Sequence, residues 1–159
     1  MGRPMALDPA VVVELDWWSW RQAFGGVDLG PLVRVGLTAG RTDAIGTLTI
    51  VEPELALGVA ARREVVPGVE VGMGIAAGVW GHSWLLTDVD AGLTVDPFVV
   101  VPVSVAWLVQ PGVGLLVGLD AGSATRTRIH ERDGIVGWQR HPAFSTLTVG
   151  VKVDLEKAR

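Results

Sequence analysis

The sequence predicts an all-β fold, an antiparallel up-and-down barrel of about eight strands, and three observations predict it. Apolar residues alternate with small or polar ones at a period of two in segment after segment, the pattern of a strand with unlike faces. The stretches between them carry turn chemistry: FGGVDLG, GRTDAIG, VVPG, GHS, DP and QPG. No segment shows a convincing helical period. At 159 residues the chain fits one domain, residues 10–155, between short tails at 1–9 and 156–159.

The first strand is expected over 10–21, where Val11, Val13, Leu15 and Trp17 lie opposite Val12, Glu14, Asp16 and Trp18. Over 30–41, Val33, Val35, Leu37 and Ala39 oppose Arg34, Gly36, Thr38 and Gly40. The third strand, 47–62, sets Leu55, Leu57, Val59 and Ala61 against Glu54, Ala56, Gly58, Ala60 and Arg62. Its phase slips at Glu52-Pro53, which calls for a bulge or a turn there. Over 68–81, Val69, Val71, Met73, Ile75, Ala77 and Val79 oppose Glu70, Gly72, Gly74, Ala76, Gly78 and Trp80. Residues 85–95 are the weakest strand. The run FVVVPVSVAWLV at 98–109 is β-branched and broken by Pro102, so it reads as a strand and not a helix. The seventh, 113–128, sets Val113, Leu115, Val117, Leu119 and Ala121 against Gly114, Leu116, Gly118, Asp120 and Gly122. The last, 143–155, alternates Leu147, Val149, Val151, Val153 and Leu155 with Thr146, Thr148, Gly150, Lys152 and Asp154. Between these two, 129–142 reads as a longer, charged connection.

Alternation leaves open which face meets the solvent. A soluble barrel of the lipocalin kind, with an apolar ligand inside, would carry mixed charges over a quarter to a third of its exterior. Here the second face is mostly Gly, Ala, Thr and Ser with isolated charges. Glycine in a solvated strand has nothing to pack and costs entropy. Within a narrow closed barrel small residues have a use, because eight strands leave room for only some long side chains. The continuous Val, Leu, Ile and Ala face then points outward to lipid, and closure satisfies every backbone group. Glu14, Arg34, Glu54, Arg62, Glu70, Asp120 and Lys152 are expected to pair inside the barrel as a lumen charge network. Trp17 and Trp107 sit near strand ends on the apolar face, where an interfacial aromatic girdle would lie.

At this point the chain resembles a bacterial outer-membrane β-barrel of the small OmpA/OmpX kind. Such barrels end in an assembly signal of polar residue, any, Gly, any, any, hydrophobic, any, hydrophobic. TVGVKVDL fits it through Thr148, Gly150, Val153 and Leu155, followed by EKAR in place of a terminal aromatic. The resemblance implies a Gram-negative outer-membrane protein, with lipid or lipopolysaccharide and the barrel-assembly machinery as partners. It implies membrane residence and barrel shape without a reaction.

The chemistry to be expected is correspondingly sparse. A formal charge of −4 gives no electrostatic case for nucleic acid, and with no cysteine there is neither a disulfide framework nor a thiolate metal site. No stretch approaches a membrane helix, and MGRPMALDPA lacks the apolar core of a signal peptide. His82, His130 and His141 fall in expected loops without metal-ligand spacing. His82-Ser83, with Asp88 and Asp90 nearby, is the only arrangement suggesting a lipid-modifying enzyme, and a turn explains it equally well. Arg126, Arg128, Arg132 and Arg140 could meet lipopolysaccharide phosphates. The plainer reading is a solvated loop with Glu131 and Asp133 as partners. The expectation is a monomeric, non-enzymatic, cofactor-free membrane barrel: a structural, anchoring or narrow-pore (porin-like) protein.

Overall fold

The computed structural model describes residues 10–15, 21–22, 24–43, 45–87, 89–110 and 113–153. Its strands are β1 (Ala10–Leu15), β2 (Arg21–Gln22), β3 (Asp28–Thr42), β4 (Leu48–Val66), β5 (Val69–Leu86), β6 (Asp90–Gln110), β7 (Val113–Ala124), β8 (Arg128–Arg132), β9 (Ile135–Arg140) and β10 (Ala143–Val153). Eight of them form one antiparallel sheet in the order β1-β3-β4-β5-β6-β7-β10, with β2 also on β3, while β8 and β9 pair only with each other. Each long strand neighbours the next in sequence, as short hairpin connections dictate. Val66-Pro67-Gly68-Val69 shows how: Pro67 presets the first turn position and Gly68 takes φ 80° at the second.

The sheet is strongly curled, and ion pairs cross its concave side. Arg34 on β3 reaches Asp120 on β7, and Lys152 on β10 reaches Glu70 on β5. Curling crowds the inner face, which explains its glycines. An added Cβ on Gly58 or Gly78 would overlap the backbone and side chain of Ala76 or Ala56, their cross-strand neighbours. The outer face carries the apolar residues. Leu57, Val59, Met73, Ile75, Val99, Leu115 and Leu119 are all exposed, and on β10 the exposure reaches 71% for Leu147 and 75% for Val149.

The sheet is open. Its hydrogen-bonded path ends at β1 and β10, whose described residues pair with β3 and β7 but not with each other. The expected pairing of the last strand with the first is therefore not seen. Strand parity bears on it: the six antiparallel steps from β1 to β10 leave these two running in the same direction.

Three further expectations change. Residues 85–95 are not a separate strand; they complete β5 and begin β6, turning between Leu86 and Asp90. The slip at Glu52-Pro53 is neither bulge nor turn, because β4 holds one register along β3 from Leu48 to Arg62. The apparent slip arises because Leu48 and Ile50 are buried on the inner face, so at this end both faces of β4 are apolar. The long connection 129–142 is largely a hairpin. Asp133 (φ 52°) and Gly134 (φ 76°) both adopt positive φ between Arg132 and Ile135, the two-residue turn that suits strand twist.

Candidate functional site

The concave face is filled in layers along β5, from Glu70 through Ala76 and Trp80 to His82 and Trp84. Among the described residues, the expected lumen charges are seen in three groups. Arg34 donates from Nε to Glu54 Oε1 at 2.5 Å and lies 2.6 Å from Asp120 through Nη1. Glu54 also accepts from Trp80 Nε1 at 3.0 Å. Lys152 pairs with Glu70, and Arg62 lies 3.8 Å from Asp28, its cross-strand neighbour on β3. Arg34, Arg62, Glu70 and Asp120 are buried. The backbone of Glu14 stands opposite Arg34, and its side chain lies outside the described residues. Of the assembly-signal positions, Thr148, Gly150 and Val153 lie on β10; Leu155 is outside the described residues, as is Trp17 of the girdle. Trp107 is exposed on the outer face at the end of β6 opposite the β8–β9 hairpin.

Above these charges sits an aromatic layer. Trp80 stacks on Phe98 with centroids 4.3 Å apart and planes at 12°, and Phe144 leans on Trp80 at 4.6 Å. With Leu32, Ala56, Ala76, Val100 and Ala124 it makes an apolar cluster inside the curl. Sequence reasoning placed Trp80 on this face but missed Phe98, Leu32 and Val100.

The densest constellation lies one layer further, where the β8–β9 hairpin covers the mouth of the sheet. Asp96 on β6, fully buried, accepts two bonds from Arg128 at 2.8 and 2.6 Å and one from Arg140 at 2.5 Å. Arg140 also bonds Glu52 on β4 and stacks 4.7 Å above the Trp80 ring. Both arginines thus clamp the hairpin onto the wall through carboxylates, where a solvated loop was expected. Arg132 meets Asp133 as expected, at 3.8 Å on the exposed turn.

The two histidines of this layer lie in strands, not loops. His82 on β5 is 1% exposed; its Nδ1 is 2.8 Å from Glu52 and its Nε2 is 2.9 Å from His130 Nε2. Glu52 only accepts, so His82 donates through Nδ1 and its Nε2 accepts the His130 Nε2–H. Trp138 stacks 5.0 Å from His82, and Trp84 tilts against both rings. Trp138 also caps Ile45, Leu48 and Ile50. Burial holds the His130 pKa below its ordinary value, helped by the charge His82 would carry. Between the hairpin and the β5–β6 turn lies a half-open cavity of about 200 Å³, lined by Trp84, Leu86, Asp90 and His130 among others.

Period two separates His82 from Ser83, which is exposed on the outer face, so this pair cannot share a proton. No group of three or more His, Cys, Asp or Glu among the described residues could hold a metal ion. Glu52 and Asp96 carried no local signal; the Asp133-Gly134 turn between RIHER and IVGWQR was the available one. Comparison with protein-family models, curated proteins and solved structures gives no match.

Proposed function

We propose that this chain is a non-enzymatic outer-membrane β-barrel protein with a structural or anchoring role. One observation carries the reading: the side of the sheet turned away from its own interior is mostly Val, Leu, Ile, Ala and Met along the long strands described. An aqueous exterior would leave this surface far larger than the apolar patches of soluble monomers. Lipid makes it the stable surface, and charges collected on the inner face are then shielded from lipid. The filled interior, with Trp80, Phe98 and Phe144 packed across it, favours anchoring over conduction. The reading also requires β1 and β10 to be joined once in the membrane, since an open edge is not tolerated in hydrocarbon. It keeps outer-membrane lipid and the barrel-assembly machinery as partners, the latter through Thr148, Gly150 and Val153.

The test is solvent preference. The purified chain should be monodisperse in detergent, aggregate on its removal, and resist protease once incorporated in lipid vesicles. A folded chain that stays monodisperse in plain buffer would replace this reading with the soluble, ligand-binding barrel.

A further inference from the structure

Around the His82–His130 contact the charges already balance without any contribution from histidine. Glu52 on β4 and Asp96 on β6 are matched by Arg128 on β8 and Arg140 on β9, in bonds linking all four. Asp90 at the start of β6 lines the cavity beside His130, together with the exposed Glu131 and Arg132 of the hairpin, the latter paired with Asp133. Two neutral imidazoles satisfy every bond within the pair: His82 Nδ1–H to Glu52, and His130 Nε2–H to His82 Nε2. One added proton fits on His130 Nδ1 without disturbing either bond. A second proton can only go to His82 Nε2. Two N–H groups would then face each other where 2.9 Å now separates the nitrogens, and two cations would stand beside two arginines.

We propose that the β8–β9 hairpin is a pH-sensitive latch, docked over the mouth of the sheet while the His82–His130 pair carries at most one positive charge and released when both rings are protonated. What release uncovers is the apolar floor of Ile45, Leu48 and Ile50 under Trp138, together with the buried carboxylates of Glu52 and Asp96. The linkage has a definite sign. The docked pair must place its second proton between two facing nitrogens and the free hairpin need not, so release favours uptake of that proton, and the burial of His130 pushes the same way. Docking is at full strength above about pH 6.5 and weakens as pH falls below it. This inference needs only the curled sheet and its hairpin, not the membrane setting, so it can fail or stand independently of the proposed function.

The chain has no cysteine, which permits a clean test. Leu48 is fully buried in the cluster that Trp138 of the hairpin caps, and unlike Ile45 it does not line the half-open cavity, so a Leu48→Cys thiol is reachable only when the hairpin lifts. Its reaction with 4,4′-dithiodipyridine is measured from pH 8 to pH 5 against an Arg126→Cys reference at an exposed position. Protection should fall at least about tenfold across the histidine range. Adding His130→Phe, which keeps the ring stack but cannot titrate, should flatten the profile. Protection that is independent of pH, or the same pH dependence in His130→Phe, overturns the latch. Should His130→Phe leave the hairpin undocked at every pH, imidazole NMR of the unaltered chain decides. Uptake of the second proton must coincide with exposure of the Leu48→Cys thiol, and separate pH windows overturn the proposal.

Discussion

The wall of the sheet and its mouth are built on opposite logic. Along the wall, from Val71 to Val79 on β5 and from Leu147 to Val153 on β10, each strand divides its residues between an exposed apolar face and a small or charged inner one. At the mouth the inner face of β4 and β5 acquires large groups, because the β8–β9 hairpin covers it. Leu48, Ile50, His82 and Trp84 are buried or half-buried there by Trp138 and His130. On the wall the alternation alone decides which face a side chain joins, even where ion pairs such as Lys152 with Glu70, 82 residues apart, cross the concave side. Long-range pairs hold the mouth, such as Glu52 with Arg140, 88 residues apart. The first kind of order should be damaged by inserting bulk or charge on the wrong face, the second by removing one partner.

The largest effect should come at the mouth. Asp96→Ala removes the buried carboxylate that Arg128 and Arg140 share, leaving Arg140 with Glu52, and should cost about 3–5 kcal/mol. Glu131→Ala, on the exposed side of the same hairpin, should change stability by less than about 0.5 kcal/mol. Denaturant titration of both variants checks the contrast. Similar losses would mean that the hairpin is not clamped through Asp96.

Next come charges on the wall. Val71→Arg should block insertion or cost about 2–4 kcal/mol near a bilayer midplane, read from refolding yield into vesicles. Arginine tolerated equally at Val71, Val101 and Val151 in a folded protein would remove the membrane reading and leave the sheet untouched. Bulk on the inner face should follow. Gly78→Leu must displace Ala56 and the backbone beyond it, for a loss of about 1–3 kcal/mol or more. Gly74→Leu, where a Cβ would lie 2.9 Å from the Val59 carbonyl, should cost less than Gly78→Leu.

These contrasts also mark what the sequence could say. Strand type, the unlike faces and the inward direction of Arg34, Glu54 and Asp120 follow from period two, a property of neighbouring residues. Closure does not follow, because it depends on a strand count that one misread turn changes. Dividing β5 and β6 into three segments adds a strand and reverses the relative direction of first and last. The mouth was illegible for a different reason. Arg128, Arg132 and Arg140 look alike in a charged stretch, and only the fold shows that the first and last meet Asp96 while Arg132 stays at the turn. Even the phase slip at Glu52 was a signal misassigned, recording a covered inner face and not an interrupted strand.

The smallest expected effect distinguishes a structural glycine from a signalling one. Gly150 lies within TVGVKVDL on β10, opposite Leu116, and a Cβ placed on it would meet nothing within 4 Å. It therefore differs from Gly58 and Gly78, whose neighbours leave no room for a side chain. Glycine in a strand costs roughly 0.5–1 kcal/mol relative to alanine, so on structural grounds alone Gly150→Ala should be neutral or slightly stabilising. Unfolding of the variant refolded in detergent measures that directly. If the glycine serves recognition before folding is complete, the same substitution should lower assembly in cells while leaving the refolded protein as stable as before. Thr148→Ala tests the neighbouring signal position on the same inner face, and should follow the same division. A loss in detergent as large as that of Gly78→Leu would show that β10 is packed against a further element on its inner side. Equal assembly in cells would leave Gly150 with no role beyond filling an uncrowded position in the strand.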